Sequence, residues 1–217
     1  MKTDSQLKQD VIAELGWQPA VHAARIGVEV KDGVVTLAGE VSSYGEKWNA
    51  ETATQRVAGV KALAVNLEVK LIDSSKRTDA DIARTAKDTL TWTSYLPLDA
   101  VKVRVEKGWL TLTGDVEWQY QRQDAEASVR NILGVTGVSN QIAIKPTLSS
   151  KLVKSDIEAA LKRRATEDAK TIAVDVKGSV VTLSGTIHSW PERDLATQSA
   201  WSTPGVYNVV DNMTMAY

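Results

Sequence analysis

Two histidines, seven tryptophans and no cysteine set the chemistry open to this chain of 217 residues. Covalent catalysis needs a nucleophile, an acid or base beside it, and a group to stabilise developing charge. His22 and His188 are the only imidazoles, and they stand at positions that do not correspond when the chain is aligned with itself. Without cysteine there is no thiol nucleophile, no disulfide and no thiolate metal ligand, and two lone histidines do not make a zinc set. Asp79 and Asp81 lie close together, but at the start of a helical pattern, where negative charge complements the helix dipole. The short glycine turns are too isolated to cradle a phosphate. The expectation is therefore a chain that is not an enzyme and carries no metal or cofactor.

Non-covalent contact remains. The run Lys162-Arg163-Arg164 ends a helical pattern, where cations suit the carboxyl-terminal dipole, and three such charges would also suit lipid phosphates. Tryptophan is the conspicuous aromatic, since phenylalanine is absent. Trp48, Trp118, Trp190 and Trp201 fall on or near one class of helix, where an indole ring is suited to boundaries between buried and wet surroundings. Trp17 and Trp92 follow the opening helices and are expected to cap the core there. Trp109 is expected on the outer face of a sheet, where Val34 and Val180 take its place elsewhere in the sequence. A large ring on such a face calls for a partner: a neighbouring repeat, another chain, or a lipid or ligand. Net charge is −1, with no obvious basic face, so nucleic acid is not an expected partner.

The elements that position these residues repeat. Asp32-Gly33-Val34-Val35-Thr36-Leu37-Ala38-Gly39 returns as Lys107-Gly108-Trp109-Leu110-Thr111-Leu112-Thr113-Gly114. It returns again as Gly178-Ser179-Val180-Val181-Thr182-Leu183-Ser184-Gly185. A fixed period marks repeated supersecondary units, here over residues 1–73, 74–148 and 149–217. Polar Ser-bearing links, Asp73 to Thr78 and Pro146 to Lys151, join them and allow some independent motion.

Each unit opens with apolar residues at helical spacing: Leu7, Val11 and Leu15; Ile82, Ala86 and Leu90; Val153, Ile157 and Leu161. Asp4 and Asp79 are the expected helix caps of the first two. Alternating Ile26, Val28 and Val30 predict a strand. Asp32-Gly33 then predicts a type I′ hairpin, as does Lys107-Gly108, while Gly178-Ser179 suits type II′. Gly39, Gly114 and Gly185 close the second strands, where a side chain would block a bulge or a close helix approach. Helices are expected over 44–58, 119–133 and 190–203, each followed by a last strand. A helix between strands two and three lets them run parallel. The fold class is α+β: three tandem α-β-β-α-β modules, each a three-stranded mixed sheet covered on one face by two helices.

This unit, with its hairpin, its Thr-Leu-x-Gly motif and its late Gly-Val before a final strand, resembles the BON domain, named for bacterial osmotically inducible and nodulation proteins. The resemblance covers about residues 4–71, 79–146 and 153–215. It implies a bacterial, non-enzymatic binding protein linked to osmotic or envelope stress, with phospholipid or a membrane surface as partner. The alternative is a scaffold that binds protein or itself through sheet faces and tryptophans. The family's hallmark falls on Gly39, Gly114 and Gly185, whose role is structural. A natural start at Met1 implies the cytoplasm; an export signal removed beforehand implies the periplasm.

Overall fold

The computed structural model describes residues 2–145, 172–203 and 206–216. Module 1 runs α1 (Asp4–Trp17), β1 (Ile26–Lys31), β2 (Val34–Val41), α2 (Tyr44–Arg56) and β3 (Ala62–Val69). Module 2 repeats the order as α3 (Asp79–Trp92), β4 (Val101–Glu106), β5 (Trp109–Val116), α4 (Gln119–Val129) and β6 (Gly137–Ile144). Module 3 shows β7 (Ile172–Lys177), β8 (Val180–Ile187), α5 (Trp190–Trp201) and β9 (Asn208–Met215). Its expected opening helix, with Val153, Ile157 and Leu161, lies outside the described residues. The second helices stop two to four residues short of the sequence expectation. In the first two modules a positive-φ glycine follows shortly after, Gly59 at φ 103° and Gly134 at φ 92°, a conformation that ends helices.

Every module builds one three-stranded sheet with the second strand in the middle. The first pair is antiparallel: Val28 faces Leu37, Val103 faces Leu112 and Val174 faces Leu183. The second pair is parallel in modules 1 and 3, with Leu37 opposite Val65 and Leu183 opposite Asp211. In module 2, backbone bonds from Thr136 N–H to the Gly108 carbonyl and from Lys145 N–H to the Val116 carbonyl show the same direction. Leu37, Leu112 and Leu183 all have no exposed surface. Modules 1 and 3 each close their own core, the first over Leu7 to Leu67 and the third over Val174 to Met213. By backbone proximity the chain forms two compact units. One is Met1–Gly114 with Asp124–Gln141; the other is Asp115–Gln123 with Ile142–Tyr217.

Gly39, Gly114 and Gly185 take φ of 141°, 134° and 122°. Close packing accounts for the first two: the neighbour of Gly39 is Arg25, the last residue of a short 3-10 helix (Ala23–Arg25), and that of Gly114 is Ala100. A Cβ on Gly39 would run into the Arg25 carbonyl oxygen, and one on Gly114 into that of Ala100. The chain entering the first strand therefore lies directly against the end of the second.

The hairpins follow turn chemistry. Asp32 and Gly33 sit at φ 52° and 79°, Lys107 and Gly108 at 52° and 77°, as type I′ requires. In module 3 only Gly178 is positive, at 61°, matching type II′. The opening helices differ from expectation. Their caps are Thr3 and Thr78, whose hydroxyls accept from the Gln6 and Asp81 N–H groups. Asp4 and Asp79, one residue further in, reach across to the hairpin instead. Asp4 accepts from the N–H of Asp32 at 2.8 Å and of Gly33 at 3.0 Å. Asp79 accepts from Lys107 N–H at 2.8 Å and Gly108 N–H at 2.9 Å. In modules 1 and 2 one carboxylate thus ties the first helix to the hairpin end of its sheet.

Replacing Asp79 by alanine removes two charge-assisted bonds and should destabilise the protein by about 2 kcal/mol. Asp79→Asn, which keeps one acceptor, should cost less. Thermal unfolding followed by circular dichroism checks both; an Ala variant melting with the native chain would remove the tie from the stability argument.

Candidate functional site

The outer sheet face carries Val34, Trp109 and Val180 at one register position, and Trp109 is half exposed. Within its own module the ring lies against the third strand. A Cβ added to Gly137 would run into the Trp109 ring, so glycine there lets the indole lie across β6. Val34 is 40 % exposed and Val180 half-buried.

The four tryptophans on or near the second helices, Trp48, Trp118, Trp190 and Trp201, are half-buried. Trp48 is half-buried, with the Arg130 guanidinium 3.7 Å from its ring centre. That contact joins α2 of module 1 to the end of α4 in module 2. Nearby, a Cβ on Gly45 would meet the Asn131 side chain. Burial pushes the Tyr44 hydroxyl above its ordinary pKa, with the Glu126 and Glu51 carboxylates adding to the shift. Trp118 stands 6.5 Å from the Tyr120 ring, Trp190 lies 5.4 Å from the Arg193 guanidinium, and Trp201 packs on the module 3 core. The basic run Lys162, Arg163 and Arg164 lies outside the described residues.

Trp17 and Trp92 do not cap the core. They are 84 % and 87 % exposed. A residue two places past Leu15 or Leu90 is turned about 200° from the buried stripe of an α-helix, so the ring leaves the core face. Beside Trp92, Tyr95 and Leu98 are 61 % and 78 % exposed.

Leu98 also lines a trough of about 590 Å³ between α3, the loop to β4, and β4 itself. Leu90, Leu96, Leu98, Val101 and Val103 make it apolar; Arg84, Lys87 and Lys102 against the single acid Asp99 make its rim positive. Arg84 touches Asp81 at 3.5 Å. Such a volume falls within the range of ligand sites.

Module 1 shows why the trough exists. The equivalent loop there is pinned to α2. Glu46 Oε1 accepts from His22 N–H at 2.8 Å and contacts its Nδ1 at 2.9 Å. Glu46 Oε2 accepts from the N–H and hydroxyl of Ser42, both at 2.7 Å. The loop lies down, and Val21, Ile26 and Val28 are buried. In module 2 the residue matching His22 is Pro97, which has no N–H to give, and Gln121 replaces Glu46. Gln121 accepts from Glu117 N–H and Trp118 N–H, both at 3.0 Å. Leu96, Val101 and Val103 are only half-buried. The loop's apolar residues are legible in the sequence; their lesser burial accompanies this paired exchange.

No cluster of three or more His, Asp or Glu residues that could hold a metal occurs among the described residues. No described helix is long and apolar enough to cross a membrane. The sequence matches the BON domain over residues 3–70, 78–146 and 150–217. The chain belongs to the BON domain family. Among curated proteins, this BON chain is similar to osmotically-inducible protein Y of Escherichia coli strain K12. The two are 25 % identical over 180 residues, spanning 79 % of this chain and 87 % of that protein. Solved structures resemble it weakly. CdsD, a structural protein of the Chlamydia trachomatis type III secretion system, aligns over 96 % of this chain and 91 % of its own at 14 % identity and TM-score 0.26. The PrgH periplasmic domain aligns over 95 % of this chain and all of its own at 14 % identity and TM-score 0.22.

Glu46 gives the loop pin a pH dependence. Burial pushes its carboxyl up, but hydrogen bonds from Ser42 and His22 outweigh that and hold it at about 2, below the ordinary 4.5. A depressed folded value stabilises the fold above pH 4.5 and loses that contribution as pH falls toward 2. Glu46→Gln should therefore cost up to about 3 kcal/mol at neutral pH, with the gap to the native chain closing between pH 4.5 and 2. Calorimetric melting at several pH values measures it; a gap independent of pH would sink the assignment.

Proposed function

We propose that this chain is a non-enzymatic binding protein of osmotic or envelope stress that engages anionic phospholipid surfaces. One observation carries the reading: Trp17 and Trp92, at equivalent ends of two first helices, stand almost fully in solvent. Exposed indoles are costly in water and favoured at lipid headgroup depth. The Trp92 surface adds Tyr95 and Leu98, with Lys87 and Lys102 near enough to meet lipid phosphates. The net charge of −1 supplies no long-range pull, so the attraction is local. Family membership and the similarity to an osmotically inducible protein support the stress setting. They also favour the periplasm over the cytoplasm as its compartment.

Co-sedimentation with phosphatidylglycerol vesicles should retain the chain, and phosphatidylcholine vesicles should retain little. Trp17→Asp with Trp92→Asp should weaken retention about tenfold. Binding that ignores headgroup charge, or survives loss of both rings, would refute the reading. Fractionation of cells expressing the native gene tests the compartment: recovery in the cytosol would refute periplasmic placement.

A further inference from the structure

The trough of module 2 runs along an open sheet edge. The order β4-β5-β6 leaves β4 with a strand on one side only. Glu106 and Trp109 flank the two-residue type I′ turn and form the hydrogen-bonded pair that closes the hairpin. Opposed pairs in an antiparallel ladder alternate between bonded and non-bonded. Lys102, Arg104 and Glu106 therefore spend their backbone groups on β5. Val101, Val103 and Val105 turn theirs outward.

A fourth strand laid beside β4 would satisfy these outward groups. Its alternate side chains would enter the space walled by Leu90, Leu96 and Leu98. Most exposed edges are blunted by charge or covered. Here the strand is less covered: Ile26 and Val28 are buried in module 1, whereas Val101 and Val103 are only half-buried in module 2, where Pro97 stands in place of His22. The rim selects charge, since Arg84, Lys87 and Lys102 outnumber Asp99. Lys87 and Lys102 are both exposed.

We propose that module 2 captures an extended peptide segment, apolar residues alternating with acidic ones, by strand addition to β4. Backbone bonds to Val101 and Val103 supply the affinity, and the apolar trough with its basic rim supplies the selection. The site shares Leu98, Lys87 and Lys102 with the vesicle-binding surface and differs from it in reading a backbone, which the Val101 and Val103 amides report and vesicle retention does not.

The full chain would be titrated against a labelled dodecapeptide alternating valine and glutamate, with a valine–lysine peptide as control, by fluorescence anisotropy. Saturable binding of the acidic peptide is expected, about tenfold tighter than the basic one. Lys87→Glu with Lys102→Glu should reverse that preference. Val103→Pro removes an outward N–H and no ladder bond, and should abolish capture. Hydrogen exchange should show the Val101 and Val103 amides slowed only by the acidic peptide. Should Val103→Pro fail to fold, the charge reversal and the two amides carry the test alone. No saturable binding, equal binding of both peptides, or capture surviving in folded Val103→Pro overturns the proposal. So does trough occupancy by dodecanoate with both amides unslowed, which would assign the site to a single-chain amphiphile.

Discussion

The second strand is the constraint on which each module depends. It is held on one side by an antiparallel neighbour and on the other by a parallel one. Two of its side chains are fully sealed from water in every copy. A one-residue slip would turn Leu37 or Leu112 to the outer face and lose about 2 kcal/mol for each leucine exposed. In modules 1 and 2 a glycine two residues before the strand's end, Gly39 or Gly114, then lets the incoming chain rest directly against it. Helices, turns and loops are arranged around that fixed register.

Because the scaffold is secured by these few positions, other sites are free to differ between copies. Position 34 is valine, and its counterpart 109 is tryptophan, accommodated by glycine at 137. On the inner side of the third strand, Val65 corresponds to Asn140 and Asp211. Asn140 bonds Glu126 at 3.1 Å, and Asp211 meets Arg193 at 2.6 Å. Each polar newcomer brings its own partner, as half-buried polar groups must.

Much of this was readable before any coordinates. Strands and hairpins came from period-two alternation and from glycines at turn positions, which are local signals. Asp4 and Thr3 are both good caps by residue type, and only the distant hairpin shows which task the aspartate performs. Trp17 and Trp92 were misread although helical geometry carried the answer: two residues past the last core leucine lies the opposite face. The trough was hidden because it depends on two exchanges 24 residues apart, His22 to Pro97 and Glu46 to Gln121. Either alone looks like ordinary drift; aligned together, they mark a loop that has lost the carboxylate and the N–H of the first copy's pin.

The tether also sets apart how two duplicates respond to acid. A neutral carboxyl offers the surrounding N–H groups little more than an amide does. As Glu46 takes up its proton, the first copy approaches electrically what the second already is at neutrality. Duplication has thus left one polypeptide with a latch that a proton loosens and a sibling in which a neutral amide stands where that carboxylate does.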